Sequence, residues 1–156
     1  MPADPSSGEI SLIGGNIATK ASGPHALKHG SIDRYLKHVR FVDGTGRVID
    51  TADASTIPPG LIGQIQTLRG DILEDKETRE QLERRKNRKI ASGYNLFAFL
   101  SSLPPGELIA QLLVGSVGTL GIITGATLRA EPVVPGKATL ALSFRDLQQA
   151  GEAVQY

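Results

Sequence analysis

Polar and apolar residues alternate most clearly between residues 38 and 50. His38–Val42 alternates, Asp43–Gly46 carries the residues of a tight turn, and Arg47–Asp50 restores apolar positions after it. Successive side chains of a strand point to opposite faces of a sheet, so this two-residue period is typical of strands. The segment therefore predicts a β-hairpin.

A helical period follows the hairpin. After Pro58-Pro59-Gly60, four apolar residues recur at intervals of four, three and four, which places them on one helix face. These residues are Leu61, Ile65, Leu68 and Ile72. Beyond Asp71 the segment becomes charged, and Asp75–Arg79 and Glu80–Arg84 have the spacing of helical ion pairs. We expect a long helical segment whose acidic residues lead and whose basic residues, ending at Lys89, trail.

Four further segments have weaker patterns. Ala26–Tyr35 predicts a loop with a turn of helix, and Tyr94–Leu103 predicts a short helix or turn. Pro104–Glu107 is typical of a helix start, and Ile122–Ala130 predicts a strand. In the helix, we expect Leu108, Ile109 and Leu112 to be buried. In the strand, we expect one face to hold Ile122, Ala126, Leu128 and Ala130.

The two ends of the chain differ from its middle. Residues 1–11 are polar at first and predict a disordered or loose start. Glu131–Gly136 is a break in composition, after which Thr139–Phe144 predicts a strand. Asp146 is placed to cap a helix that runs through Leu147, Ala150 and Val154. One strand and one helix do not bury their apolar faces alone, so residues 137–156 predict the beginning of a second domain.

Composition excludes several kinds of protein. The 156 residues suffice for one domain with a sizeable core, and the formal net charge of +1 gives no broad attraction to nucleic acid or to a membrane. The chain has no cysteine, so it holds no disulfide, iron–sulfur ligand or thiol nucleophile of its own. The basic run Arg84–Lys89 has no interleaved aromatic residue for base stacking, which favours a solvated helix end.

Metal binding and membrane insertion are not expected either. His25 and His29 are four residues apart, but no nearby carboxylate completes a ligand set, so we expect no metal site. No apolar run approaches the roughly 18 residues that span a bilayer, and the first residues lack the pattern of a signal peptide. A cytoplasmic location is expected, with peripheral association with a membrane left open.

Two glycine-rich runs hold the strongest functional signal. The first is Gly14–Gly23 and the second is Gly115–Thr124. Glycine allows a positive φ and close approach of the backbone to a ligand, and successive exposed N–H groups form an anion site. Two such runs in one small chain predict an extended phosphate-bearing ligand that is contacted from both sides. Simple turns are the alternative, because neither run is a dinucleotide fingerprint or a P-loop.

The residues of both runs resemble the FAD-binding domain of the vanillyl-alcohol oxidase type, found in D-lactate dehydrogenases and in the FAD subunit of glycolate oxidase. In that family the first run reads like GGxxATNASG and the second like GSEGTLGIIT. Pro24–Gly30 is similar to a family segment that ends in Lys-Tyr-Gly, and Lys89–Leu96 is similar to K-N-T-x-GY-N-L. The resemblance covers residues 12–135 in the family's order.

This resemblance implies an α+β fold in which residues 12–131 form the second half of an FAD-binding domain. The sheet would be mixed or antiparallel with flanking helices, and the opening domain at 137–156 would belong to a substrate domain. FAD would be the cofactor, and we expect no catalytic residue in this chain because the flavin performs the hydride chemistry. The implied cofactor-binding residues are Thr19, Lys20, Ala21, Ser22, Gly23, Val117, Gly118, Thr119, Leu120, Gly121, Ile122 and Ile123.

The implied function is that of a fragment of an FAD-dependent oxidoreductase acting on a D-2-hydroxy acid such as D-lactate or glycolate. Its partners would be that small-molecule substrate and an electron acceptor, without nucleic acid. The fragment alone would be inactive, since the family's pyrophosphate loop and substrate-domain histidines have no room here. Two alternatives remain: the relative in this family that transfers an alkyl group to an ether-lipid precursor, and a non-catalytic interaction module. Whether the basic run Arg84–Lys89 lies near the flavin phosphates also stays open. Lys20 and Val117 replace the family's Asn and Glu.

Overall fold

Six helices and a three-stranded antiparallel sheet form the described part of the chain in a computed structural model, which covers residues 3–86, 88, 93–132, 136 and 138–154. The α+β class predicted from the sequence is confirmed at this level. The helices are α1 Ile13–Ala18, α2 Ala26–His29, α3 Pro59–Glu74, α4 Lys76–Arg85, α5 Pro105–Leu113 and α6 Leu147–Val154. The strands are β1 Leu36–Val42, β2 Val48–Asp50 and β3 Ile122–Leu128.

The predicted hairpin is confirmed. Strand β1 pairs with β2 in antiparallel register, and Val42 lies opposite Val48. The turn is held by the Asp43 carboxylate, which accepts hydrogen bonds from the backbone N–H groups of Thr45 and Arg47 at 2.8 and 3.0 Å. Together with the Thr45 hydroxyl, these donors lower the pKa of the Asp43 carboxyl.

Strand β3 lies on the other side of β1, so β1 is the central strand. The prediction that Ile122, Ala126, Leu128 and Ala130 share one face is wrong, because Ile122 is 70% exposed and Ala126 and Ala130 are exposed too, whereas Leu128 is partly buried. Ile123 and Leu128 instead pack against the core. The β1–β3 register shifts between Arg40 and Phe41 and again near Leu36, and such irregularities change which side chains share a face. The strand also ends at Leu128 rather than at Ala130.

In the core, α5 packs against β1 of the sheet and α3 packs against α5. Ile65 and Ile72 of α3 are buried, and the other two residues of the predicted face, Leu61 and Leu68, pack against them with partial exposure. In α5 the buried residues include Leu108 and Ile109, while Leu112 is partly buried. Pro59 and Pro105 each begin a helix, where the missing N–H of proline costs no helical hydrogen bond. These predictions are confirmed.

The charged half of the long helical segment is a separate helix. Asp75 has an extended backbone, at φ −73° and ψ 102°, and its carboxylate accepts a hydrogen bond from the Thr78 N–H at the start of α4. Hydrogen bonds from Thr78 lower the pKa of this carboxyl. The predicted Asp75–Arg79 and Glu80–Arg84 ion pairs are wrong, because both arginines donate to backbone carbonyl oxygens instead.

The described residues also form three short segments of 3₁₀ helix: Ile32–Arg34, Ala54–Thr56 and Leu96–Leu100. The first of them, together with α2, agrees with the loop and helical turn predicted between residues 26 and 35. The last agrees with the short helix or turn predicted at 94–103, and it buries Phe99 completely. In the part of the chain that the structure describes, no helix is long and apolar enough to cross a membrane.

The C-terminal region departs from its predicted form in one respect. The described residues of the segment 139–144 form no strand, and Leu140, Leu142 and Phe144 are exposed. The helix that follows is present as α6, and the Asp146 carboxylate accepts a hydrogen bond from the Gln149 N–H, as a capping residue does. Residues 133–135 and 137, at the predicted domain boundary, lie outside the described residues.

Candidate functional site

The first glycine run forms α1 and the tight turn that ends it. Lys20 has a positive φ of 52°. Its N–H donates to the Ile17 carbonyl oxygen at 3.0 Å, and the Ala21 N–H donates to the Asn16 carbonyl oxygen at 2.8 Å. This pair of hydrogen bonds around one left-handed residue is the Schellman arrangement, in which glycine is the usual residue. Lysine occupies the glycine position here.

The second glycine run lies directly against this turn. The Gly115 N–H donates to the Ile17 carbonyl oxygen at 3.1 Å, and the Val117 N–H donates to the Ala18 carbonyl oxygen at 2.9 Å. The last carbonyls of a helix have no partner within the helix, so the second run satisfies those of α1. The two runs that the sequence singled out therefore form one structural unit.

A groove of about 430 Å³ opens where α1, the second run and β3 meet. We call it the glycine groove. Small residues form much of its lining, and three large apolar side chains stand exposed along it: Leu12 at 80%, Ile13 at 45% and Ile122 at 70%. Its lining residues are Leu12, Ile13, Gly14, Gly15, Ala18, Gly118, Gly121, Ile122, Ile123, Thr124, Gly125 and Ala126. Its chemistry suits a flat apolar group beside backbone donors.

Two glycines allow the walls of this groove to pack closely. A Cβ on Gly121, whose φ is 156°, would lie 2.6 Å from the Val42 carbonyl oxygen. A Cβ on Gly14 would lie 3.0 Å from the Ile123 carbonyl oxygen, which is tighter than most contacts in proteins. Gly118 differs, since its φ is 81° but no atom of the other described residues lies within 4 Å of its Cβ position. Gly118 therefore borders open space in the groove.

The structure narrows the set of backbone donors that are free for a ligand. The N–H groups of Thr19, Lys20, Ala21, Val117 and Thr119 all donate to carbonyl oxygens of the two runs. Within the described residues, the N–H groups of Ser22, Gly23, Gly118 and Leu120 donate to no protein acceptor. Each run therefore offers free backbone donors to an anion.

The predicted site residues divide between two surfaces. Gly118, Gly121, Ile122 and Ile123 line the glycine groove. Lys20, Ser22 and Gly23 line a second concavity of about 440 Å³, which we call the basic hollow because Arg34, Lys86 and Arg88 also line it. The remaining predicted residues line neither surface; they are Thr19, Ala21, Val117, Thr119 and Leu120.

The basic run predicted as a solvated helix end is exposed in the structure, and part of it also borders the basic hollow. Its described residues Arg84, Arg85, Lys86 and Arg88 are exposed, as that prediction requires. Two of them, Lys86 and Arg88, also face the first glycine run across the basic hollow. Lys89, and with it residues 89–92 of the segment that resembles the family's K-N-T-x-GY-N-L, lie outside the described residues.

A polar ring beside the first run was not predicted from the sequence. The Lys20 ammonium lies 3.4 Å from an Asp33 carboxylate oxygen and 3.3 Å from the Asn95 side-chain oxygen. The Asn95 amide donates to the Gln111 side-chain oxygen at 2.8 Å, and the Gln111 amide donates to the Asp33 backbone carbonyl at 2.9 Å. We call these four residues the Lys20 ring. Their one sequence signal is a lysine inside a glycine-rich run.

The segment before the last 3₁₀ helix also contacts the second run. The Tyr94 hydroxyl lies 2.9 Å from the Thr119 hydroxyl, which donates to the Ser116 carbonyl oxygen at 2.7 Å. A Cβ on Gly115 would lie 2.5 Å from the Gly93 carbonyl oxygen. Residues 93–95 thus contact both runs, through Gly115 and Thr119 on one side and through the Lys20 ring on the other.

Val117 is strained, and we expect its replacement by asparagine to stabilise the chain. Its φ is 51°, a left-handed conformation that is unfavourable for a β-branched residue, and its side chain is 69% exposed. Asparagine adopts this conformation readily, so Val117→Asn should raise the free energy of unfolding by about 1 kcal/mol. Urea unfolding measures it, and Val48→Asn, at an exposed strand position, is the control that should gain nothing. Equal or lower stability of Val117→Asn would contradict the strain.

Comparison with known proteins adds independent information on these runs. Residues 1–52, which contain the first run, match the family described as FAD binding domain. The D-lactate dehydrogenase of Archaeoglobus fulgidus is 29% identical over 94% of this chain. The probable mitochondrial D-lactate dehydrogenase of Danio rerio is 30% identical over 96%, and the glycolate oxidase subunit GlcD of Bacillus subtilis is 28% identical over 98%.

These matches confirm the resemblance to FAD-linked oxidases that the two runs indicated, and the family match confirms FAD as the predicted cofactor. The chain covers only part of each relative: 23% of the archaeal protein, 21% of the fish protein and 23% of the bacterial subunit. It therefore spans about a fifth of the length of the curated relatives it matches.

Proposed function

We propose that this chain supplies the second half of an FAD-binding domain of the vanillyl-alcohol oxidase type. Its similarity to one segment of the FAD-linked oxidases supports this proposal. The complete enzyme would be an FAD-dependent oxidoreductase that oxidises a D-2-hydroxy acid, such as D-lactate or glycolate, and passes the electrons to an acceptor. The observation that carries the proposal is the glycine groove, which forms where the two runs meet.

The described residues fit a flavin cofactor. The groove presents exposed apolar side chains and glycine backbone to a planar ring, and burial of such surfaces stabilises a complex by about 25 cal/mol per Å². The free N–H group of Gly118, which lines the groove, is a donor for the polar atoms of the same ligand. Bound FAD supplies the hydride chemistry, and the role of this chain is to bind the cofactor, orient it and exclude water from one side.

The proposal assigns no proton transfer to this chain. In the part of the chain that the structure describes, no three His, Asp or Glu side chains converge as metal ligands would. Among the described residues, no ionisable side chain lines the glycine groove. Groups that act on the hydroxy acid would therefore belong to other parts of the complete enzyme.

Flavin titration tests the proposal directly. The complete enzyme should purify with flavin absorbance in the visible range, and D-lactate or glycolate should bleach it without air. The isolated 156-residue chain should bind FAD weakly or not at all, because it would lack the hydrogen bonds to the pyrophosphate that the rest of the complete enzyme provides. Hydrogen bonds to this charged group contribute about 1.5–3 kcal/mol each, and each 1.4 kcal/mol is roughly tenfold in affinity. Calorimetry measures the isolated chain.

Three results would count against parts of this proposal. A complete protein without flavin would favour a non-catalytic interaction module. A flavoprotein that is bleached by neither hydroxy acid, but that exchanges the acyl group of an ether-lipid precursor for an alkyl group, would favour the alkyl-transfer relative. Nanomolar binding of FAD by the isolated chain would show that these two runs suffice without any further loop.

A further inference from the structure

Three parts of the chain meet at Lys20. Its Cβ lies 3.8 Å from the position that a Cβ on Gly115 would occupy, and that same position lies 2.5 Å from the Gly93 carbonyl oxygen. The first run, the second run and the segment before Leu96 are therefore in contact at one point. The side chain of Lys20 continues from this point into the Lys20 ring.

The backbone conformation of Lys20 is not one that lysine prefers. A φ of 52° is left-handed, and glycine, asparagine and aspartate are the residues that adopt it most readily. The Lys20 side chain is nevertheless only 8% exposed. A buried ammonium is unfavourable unless it is paired and hydrogen-bonded, and here Asp33 and Asn95 provide both. The side chain, rather than the backbone preference, thus holds lysine in this turn.

The turn at Lys20 also sets the position of the second run. Lys20 and Gly115 donate to the same carbonyl oxygen, that of Ile17, and Val117 donates to the next one, that of Ala18. Gly118, which lines the glycine groove, follows Val117 directly. A change in the turn would therefore move the end of α1 and, through two hydrogen bonds, one wall of the groove.

We infer that Lys20 is a positioning residue for the cofactor: anchored by Asp33 and Asn95, it fixes the left-handed turn that holds the second glycine run at the groove. This inference rests on the proposed function for its flavin readout. It does not require that Lys20 touch the cofactor. The Gln111 amide supports the anchor, since it joins Asn95 to the backbone of Asp33.

Two substitutions in the complete enzyme separate the anchor from the backbone preference. Lys20→Asn suits the left-handed backbone better but lacks the ammonium, and Asp33→Asn keeps the lysine but removes its ion pair. Each substitution should weaken FAD binding by at least about tenfold. The double variant should bind FAD no more weakly than the weaker single variant, because both substitutions remove the same interaction. Lys28→Asn, which removes an exposed lysine in α2, should bind FAD like the unchanged enzyme.

A second readout needs no flavin. Amide hydrogen exchange at Gly115 and Val117 should accelerate by at least about fivefold in Lys20→Asn, while exchange at Thr51, whose N–H donates to Val39 in the core, should stay unchanged. Unchanged exchange at Gly115 and Val117 would overturn the inference. So would variants that unfold more easily yet bind FAD with unchanged affinity and unchanged visible circular dichroism. If the unchanged enzyme binds no FAD, the proposed function fails, and exchange alone decides the role of Lys20.

Discussion

Replacing Gly115 with alanine should destabilise the chain strongly. Gly115 combines a left-handed φ of 77° with a backbone neighbour, since its added Cβ would lie 2.5 Å from the Gly93 carbonyl oxygen. The left-handed conformation and the forced backbone shift together should lower the free energy of unfolding by about 3 kcal/mol. Chemical unfolding of the 156-residue chain measures the loss.

Gly118→Ala is the matched control for this change. Gly118 has nearly the same φ, 81°, but within the described part of the chain no atom lies within 4 Å of its Cβ position. Its replacement should therefore lower the free energy of unfolding by about 1 kcal/mol, from backbone conformation alone. If the two variants lose equal stability, the close contact between Gly115 and Gly93 is not what makes glycine necessary at position 115.

Gly118→Leu should remove flavin from the complete enzyme. A leucine side chain at this position enters the glycine groove, where the structure leaves open space, and it would occupy the volume that we assign to the cofactor. We expect FAD affinity to fall at least about a hundredfold, which corresponds to roughly 2.8 kcal/mol. The flavin-to-protein ratio after purification and an FAD titration measure the effect.

Gly46→Leu separates this effect from backbone strain. Gly46 has a φ of 84° and open space around its Cβ position, but it lies in the hairpin turn and lines neither concave surface. The Gly46→Leu enzyme should thus lose about as much stability as the Gly118→Leu enzyme, while its FAD affinity stays unchanged. A Gly118→Leu enzyme that keeps one flavin per protein would show that FAD does not bind in the glycine groove.

Elements defined by neighbouring residues could be predicted from the sequence. The hairpin at residues 38–50 follows from alternation, and α3 and α5 follow from apolar spacing after proline. The break between α3 and α4 could not be predicted in the same way. Ion-pair spacing favoured helix through Asp75, whereas its carboxylate is short enough to cap the next helix by bonding to Thr78.

The site was predictable in its parts but not in its arrangement. The composition of the two runs indicated a ligand, yet nothing local predicts that the second run hydrogen-bonds to the end of α1. Two links of the Lys20 ring join residues 75 and 78 positions apart, so no periodicity reveals it. Ile122 was assigned to the wrong face because the register shift near Arg40 depends on the pairing partner.

The pairing of β3 with β1 has a consequence for how the protein is made. About 80 residues separate Val42 from its partner Ile122, and at ~5–20 residues per second the ribosome needs about 4–16 s to synthesise them. During that interval β1 has only β2 as a neighbour, and a two-stranded hairpin is marginally stable in water. Because the second glycine run leads into β3 and shares residues 122–124 with it, the sheet and the ligand groove are completed at the same stage of synthesis.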